Sequence, residues 1–186
     1  NLAGEAILDA GTGTSVVVSV ARLGKDAGKL DVATGEIGGR QTLRVLYPGN
    51  HLVYPKLGWG SNTEVRVRDD GTFGEGKRDW SAFGRRVRIS GGGSGLEAHA
   101  DLHVSVPRGQ ELTLRLAVGP VRVSNVEGTL MVDTGSGSVE ASGTRGELKV
   151  DTGSGSVVVN NASGHIDIDT GSGSVRLAGT RGESVL

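Results

Sequence analysis

An aspartate followed by Thr-Gly-Ser can serve a hydrolase. Two such loops that face each other share one proton between two carboxylates and activate a water. The heptapeptide Asp-Thr-Gly-Ser-Gly-Ser-Val stands three times in this chain, from Asp133, Asp151 and Asp169. Facing loops need two-fold symmetry, whereas these copies are 18 residues apart and related by translation. Translation sets the carboxylates in a row on one face and gives no opposed pair for general acid–base work. The spacing therefore argues against an enzyme and for a structural repeat.

Other residues that could do chemistry fall to similar tests. His99, Asp101 and His103 share one face of a strand, but the outer two would be about 13 Å apart, too far for one metal. They read as an exposed polar face. Gly-Thr-Phe-Gly-Glu-Gly-Lys (71–77) has the outline of a phosphate loop, yet Arg78 stands where a hydroxyl should meet magnesium, and no apolar-periodic helix follows. Arg85, Arg86 and Arg88 read as a solvated strand face. No metal or other cofactor is expected. Calcium is the weaker reading for the aspartate row, since it wants six or more oxygen ligands. In calcium-binding rolls, moreover, Asp follows the glycines in both corners. Thr134, Thr152 and Thr170, with Ser136, Ser154 and Ser172 nearby, would give an ice-binding hydroxyl ladder only on a flat sheet, and their position suggests a corner.

The elements that hold these residues follow from the period. Gly128, Gly146, Gly164 and Gly182 are spaced by 18, as are Gly135, Gly153 and Gly171, and Gly137, Gly155 and Gly173. Apolar–x–apolar pairs recur every nine residues: Leu112 and Leu114, Val121 and Val123, Leu130 and Val132, Val139 and Ala141, Leu148 and Val150, Val157 and Val159, Ile166 and Ile168, Val175 and Leu177. Each pair marks a strand with one buried face. The odd gap between pairs breaks the alternation, so each gap holds a corner or bulge, and glycine supplies the backbone freedom. Two short strands and two corners per 18 residues make one rung of a β-solenoid, parallel β-helix-like, with rungs about 4.8 Å apart. The rungs run 110–127, 128–145, 146–163 and 164–181, with a half rung at 182–186. The repeat corner is assigned to Asp133, Gly135, Gly137 and their equivalents Asp151, Gly153, Gly155, Asp169, Gly171 and Gly173. Each Asp is expected to close its turn through a side-chain bond to a backbone N–H.

From Val104 the chain reads VSVPRGQELTLRLAVGPVRVSNVEGTLMVDTGSGSVEASGTRGELKVDTGSGSV. This resembles a bacterial β-strand-repeat family that carries an adhesin label, a domain of unknown function, over about Val104 to Leu186. The resemblance implies an all-β, solenoid-like fold and an exported, envelope-associated role without catalysis. An envelope stress-response role is its minor implication.

The solenoid is assigned to 96–186. An irregular β-rich region spans 23–95, with strands expected at 41–48, 62–69 and 85–90. Residues 1–22 read as a further rung, because Gly-Glu-Ala-Ile-Leu-Asp-Ala-Gly-Thr-Gly-Thr-Ser-Val aligns with Gly-Glu-Leu-Lys-Val-Asp-Thr-Gly-Ser-Gly-Ser-Val, one residue longer. Ala6 and Leu8 then match Leu148 and Val150, and Asp9 matches Asp151. A half rung at one end and a rung at the other suggest subunits joined head to tail into a filament. The expected interface is Gly4, Ala6, Ile7 and Leu8 against Gly182, Ser184, Val185 and Leu186. Trp59, Trp80, Phe73, Phe83, Tyr47 and Tyr54 suggest a small secondary core, and Trp59 and Trp80 alternatively a polysaccharide- or partner-binding platform. The composition includes 33 Gly and no Cys, with a net charge of −1. It excludes disulfides and Cys-based sites and gives no ground for nucleic acid as a partner. No apolar run is long enough to span a membrane. The chain opens on Asn1, so a signal peptide removed before it and a secreted or cell-envelope location are expected. The function expected is a non-enzymatic, structural or adhesive one.

Overall fold

The computed structural model describes residues 1–73 and 84–186. In chain order the strands are β1 (Ala6–Gly11), β2 (Val17–Leu23), β3 (Asp31–Ile37), β4 (Arg40–Leu46), β5 (His51–Val53), β6 (Asn62–Val67) and β7 (Arg85–Ser90). After them come β8 (His99–Pro107), β9 (Gln110–Val118), β10 (Val121–Ser124), β11 (Glu127–Ser136) and β12 (Val139–Ser142). The series closes with β13 (Arg145–Ser154), β14 (Val157–Asn160), β15 (Ser163–Thr170), β16 (Val175–Ala178) and β17 (Arg181–Val185). The chain divides into two compact units, one of Gly4–Ala21 with Asp101–Leu186, the other of Asn1–Ala3 with Arg22–Ala100.

The first unit is a β-solenoid. One sheet runs β17-β15-β13-β11-β9 and the other β16-β14-β12-β10-β1-β8-β2. Adjacent coils pair in parallel at a shift of 18 residues, so Leu130 lies beside Leu148, Asp133 beside Asp151 and Val139 beside Val157. Each coil has one long strand and one short one, ten residues in β11 and four in β12. The expected apolar pairs do point inward: Leu130, Val132, Val139 and Ala141 are buried, as are their equivalents Leu148, Val150, Val157 and Val159. Two further inward columns carry no such pair. Thr134 and Thr152 extend the long strand into the core, and Val126, Thr144 and Ala162 fill the second turn.

The glycine periods have a steric cause. A Cβ on Gly164 would stand 2.0 Å from the Gly146 carbonyl oxygen of the preceding coil, with φ at +116°. One on Gly155 would stand 2.1 Å from Gly137 O. At these places an L side chain would point along the stack into the next backbone, so only glycine lets coils approach at sheet spacing.

The other corner works differently. Positions 125, 143, 161 and 179 all take left-handed backbone, with φ of 56° at Asn125, 65° at Gly143, 53° at Asn161 and 64° at Gly179. Asn is the non-glycine residue best suited to that region. A Cβ on Gly143 would meet Asn125 Oδ1 at 2.3 Å, and one on Gly179 would meet Asn161 Oδ1 at 2.5 Å. The asparagine of one coil thus fills the place left by the glycine of the next.

The N-terminal strand departs from the sequence alignment. It joins the sheet of short strands, where Ala6 lies beside Val121 and Leu8 beside Val123. Its other edge pairs with β8, Leu8 beside Val104. Asp9 therefore neighbours Ser124 and Ser105 and does not extend the aspartate row. The alignment rested on the shared glycine-rich tail, but the inward spacing Ala6–x–Leu8 fits either sheet.

In the second unit, β3 and β4 form a hairpin closed by Gly38 and Gly39 (φ 59° and 77°), and β5, β7 and β6 form a small sheet in that order. Of the six aromatics expected to form one core, Tyr47 and Tyr54 are buried, Phe73 is half-buried and Trp59 is exposed. Trp80 and Phe83 lie outside the described residues, as do Lys77 and Arg78 of the phosphate-loop outline.

Candidate functional site

The first two Asp-Thr-Gly-Ser segments lie within strands and do not form corners, whereas in the third only Asp169 and Thr170 belong to β15 and Gly171 and Ser172 lie beyond its end. Asp133, Thr134, Gly135 and Ser136 close β11, and the turn begins at Gly137. Stacking explains this: the first two segments pair with each other across neighbouring coils, and that ladder holds them extended whatever their own turn preference. The aspartates face outward and accept no turn-closing bond. The threonines face inward, with Thr134 1 % exposed, so they offer no hydroxyl array to ice. Thr152 and Thr170 point their hydroxyls at Gly137 O and Gly155 O, at 3.5 and 3.3 Å.

Asp133 is the most enclosed of the row. Burial first, and then the neighbouring Asp151 carboxylate, raise its pKa above the ordinary carboxylate value, against the opposing pull of Arg115. Arg115 Nε lies 3.5 Å from an Asp133 carboxylate oxygen. The folded state thus holds this proton more tightly than the unfolded chain does. Ionised Asp133 costs stability above its raised pKa, and the cost disappears as pH falls through that value. Asp133→Asn is expected to raise the thermal midpoint by about 1–3 °C at neutral pH. Melting at descending pH should show the gain shrinking to nothing in acid. Lys149 pairs with Asp167 on the same outer face. Among the described residues no group of three or more His, Asp or Glu is arranged to hold a metal ion.

The histidine segment splits. His103 Nε2 lies 2.8 Å from Asp9 Oδ2 on the solenoid. His99 belongs to the other unit, where its ring meets Tyr54 edge-on at 5.1 Å. Among the proposed assembly residues, Gly4 N–H donates to Val118 O and Ala6 N–H to Pro120 O. Ala6, Ile7 and Leu8 are paired on both edges within their own chain. They cannot offer an edge to a second subunit, which corrects that half of the interface. Gly182, Ser184 and Val185 lie in β17, the outermost strand of its sheet, and Leu186 is exposed beyond it.

The second unit holds a cleft of about 350 Å³ lined by Leu2, Lys29, Asp31, Tyr47, Arg68 and Arg85. Its cations are engaged: Lys29 with Asp26, Arg68 with Thr72, and Arg85 with the carbonyls of Tyr47 and Gly49. Arg85 therefore leaves the basic cluster expected from sequence, while Arg86 and Arg88 stay exposed.

Trp59 is built differently. It is 93 % exposed, although a Trp side chain is among the most favourable to bury. It rests on Gly92, where an added Cβ would stand 3.1 Å from Trp59 Cδ1. The loop beneath is hydrogen-bonded on both sides of Trp59. Tyr54 N–H donates to Ser90 O, Ser61 N–H to Gly58 O and Gly91 N–H to Ser61 O. The Ser90 hydroxyl donates to Gly92 O at 3.0 Å and lies 2.9 Å from His51 Nε2. With its single proton given to Gly92, Ser90 accepts from His51. A flat apolar surface is thus open to solvent above a hydrogen-bonded loop. Sequence reasoning named Trp59 but missed Gly92 and the His51–Ser90 link, which no local pattern encodes.

No helix of the described residues is long and apolar enough to cross a membrane. No curated protein and no solved structure matches the chain. A family model described as Toastrack DUF4097 matches residues 92–184, half of the chain, and includes all the coils from β9 onward. The match covers the repeat that carries the resemblance read from Val104 and brings no adhesive activity with it.

Proposed function

Because the chain belongs to the Toastrack DUF4097 family, a domain family of unknown function, we propose that it works as a non-enzymatic structural module with an adhesive role, secreted to the cell surface or its surroundings. The observation that carries this reading is the ladder construction. Successive coils repeat the same inward aliphatic columns and the same backbone contacts. Such a stack is a stiff rod whose length is set by repeat number. Self-association is the finer part of the proposal. Strands β16 and β17 are outermost on one side of the two solenoid sheets, β2 and β9 on the other, and unpaired strand edges template further pairing. Another copy would add there, since β1 is already flanked. Sedimentation velocity over a concentration series is the test. Growth with concentration that Val185→Lys suppresses is expected, and a wild-type chain that stays monomeric throughout sinks the self-association.

A second reading is favoured by Trp59. An exposed indole on a hydrogen-bonded loop is the kind of anchor binding surfaces use, and it supports a binding module for polysaccharide.

A further inference from the structure

We propose that the outer face of the β5-β7-β6 sheet, with Trp59 at its rim, binds a linear acidic polysaccharide. The inference rests on the binding-module reading and adds the class of ligand.

Strand pairing places the charges. Glu64 lies opposite Arg88, and Arg66 opposite Arg86, in the antiparallel pair. His51 lies beside Arg88 in the parallel pair. Residues directly opposite share a face. That face is not the one of Val87 and Ile89, which are buried. Arg66, Arg86 and Arg88 are all exposed. Three guanidiniums and one imidazole therefore stand with one carboxylate, Glu64, which is 3.5 Å from Arg86. The whole chain has a net charge of −1, so this is a local positive patch.

The line continues to the indole. Outward residues on one strand are about 6.8 Å apart. Beyond Arg86 and Arg88 the next on this side of β7 is Ser90, itself buried, whose hydroxyl holds Gly92, and the exposed Trp59 lies on Gly92. A guanidinium receives a carboxylate through two parallel hydrogen bonds. An indole face takes the apolar face of a sugar ring while the ring's hydroxyls stay in water. A polymer of acidic sugars offers both groups along one line. Sequence-tolerant binding of single-stranded nucleic acid uses successive aromatics in a basic groove, and Trp59 is the exposed aromatic among the described residues. A membrane surface would need a larger apolar area than one indole.

The test is affinity electrophoresis and calorimetry of the whole chain with polygalacturonate, a neutral soluble glucan, a thymidine oligonucleotide and anionic phospholipid vesicles. Polygalacturonate should bind, more weakly as salt rises. Trp59→Ala and the double variant Arg86→Gln with Arg88→Gln should each lower affinity about tenfold. Thermal midpoints near wild type show that the variants fold, and Arg88→Gln alone replaces the double variant if it does not. Salt-independent binding of the neutral glucan, lost in Trp59→Ala but kept in the arginine variants, overturns the acidic ligand and leaves the binding-module reading standing. Binding to neither polysaccharide overturns both. Tighter binding to the oligonucleotide or the vesicles overturns the polysaccharide.

Discussion

Gly164→Ala is expected to lower stability by about 3–5 kcal/mol, with a fall of about 10 °C or more in the thermal midpoint. Two costs combine. The residue sits at φ +116°, where an L side chain is strained. Its new methyl carbon would also stand 2.0 Å from a main-chain oxygen of the coil below. That oxygen is fixed by the sheet and cannot swing aside as a side chain would. Relief requires the coils to part, which weakens the ladder between β13 and β15. Gly28→Ala is the matched control. No heavy atom lies within 4 Å of its added Cβ and its φ is not positive, so a change within about 0.5 kcal/mol is expected. Calorimetry of the two variants beside wild type decides the matter. Equal midpoints would mean that the stack does not need its glycines.

Leu148→Ala should cost about 2–5 kcal/mol through lost burial and the cavity left behind. Leu148 is buried in the middle of its column, beside Leu130 and Ile166 in the neighbouring coils. The coils are held apart at the backbone spacing, so neighbours above and below cannot close the gap. The denaturant midpoint should fall while its slope stays constant, because native compactness is kept. Glu147→Ala, one residue earlier and facing outward, should change stability by less than about 0.5 kcal/mol.

The solenoid was legible because its cause is repeated. Leu130–x–Val132 states an inward pair, and the same pair 18 residues on states the stacking. What failed was local reasoning applied to residues whose state is set by neighbouring coils. Asp133 to Ser136 look like a turn in isolation, yet pairing with Asp151 to Ser154 makes them strand. Val126, Thr144 and Ala162 form one inward column, but Thr144 breaks its apolar pattern and neither Val126 nor Ala162 has an apolar partner two residues away to mark a strand. Ala6 and Leu8 announced a strand but not its sheet, since nothing in six residues says which coil face is free. The binding face divides in the same way. The alternation Glu64–x–Arg66 and Arg86–x–Arg88 was readable on each strand alone. That the two strands pair and pool their arginines depends on a long-range contact.

The corner where asparagine and glycine alternate has a bearing on how the chain finds its register. Coils built on three copies of one heptapeptide are nearly interchangeable, so a folding chain could skip one and still match its aliphatic columns. The alternation works as a parity bit. A skip of one coil would stack Gly143 against Gly179, leaving a gap that no side chain fills, or Asn125 against Asn161, crowding two amides. A skip of two restores the match but must loop out 36 residues, and closing so long a loop carries its own entropy cost. The single-coil error, which costs least in chain entropy, is thus the one this corner marks as wrong.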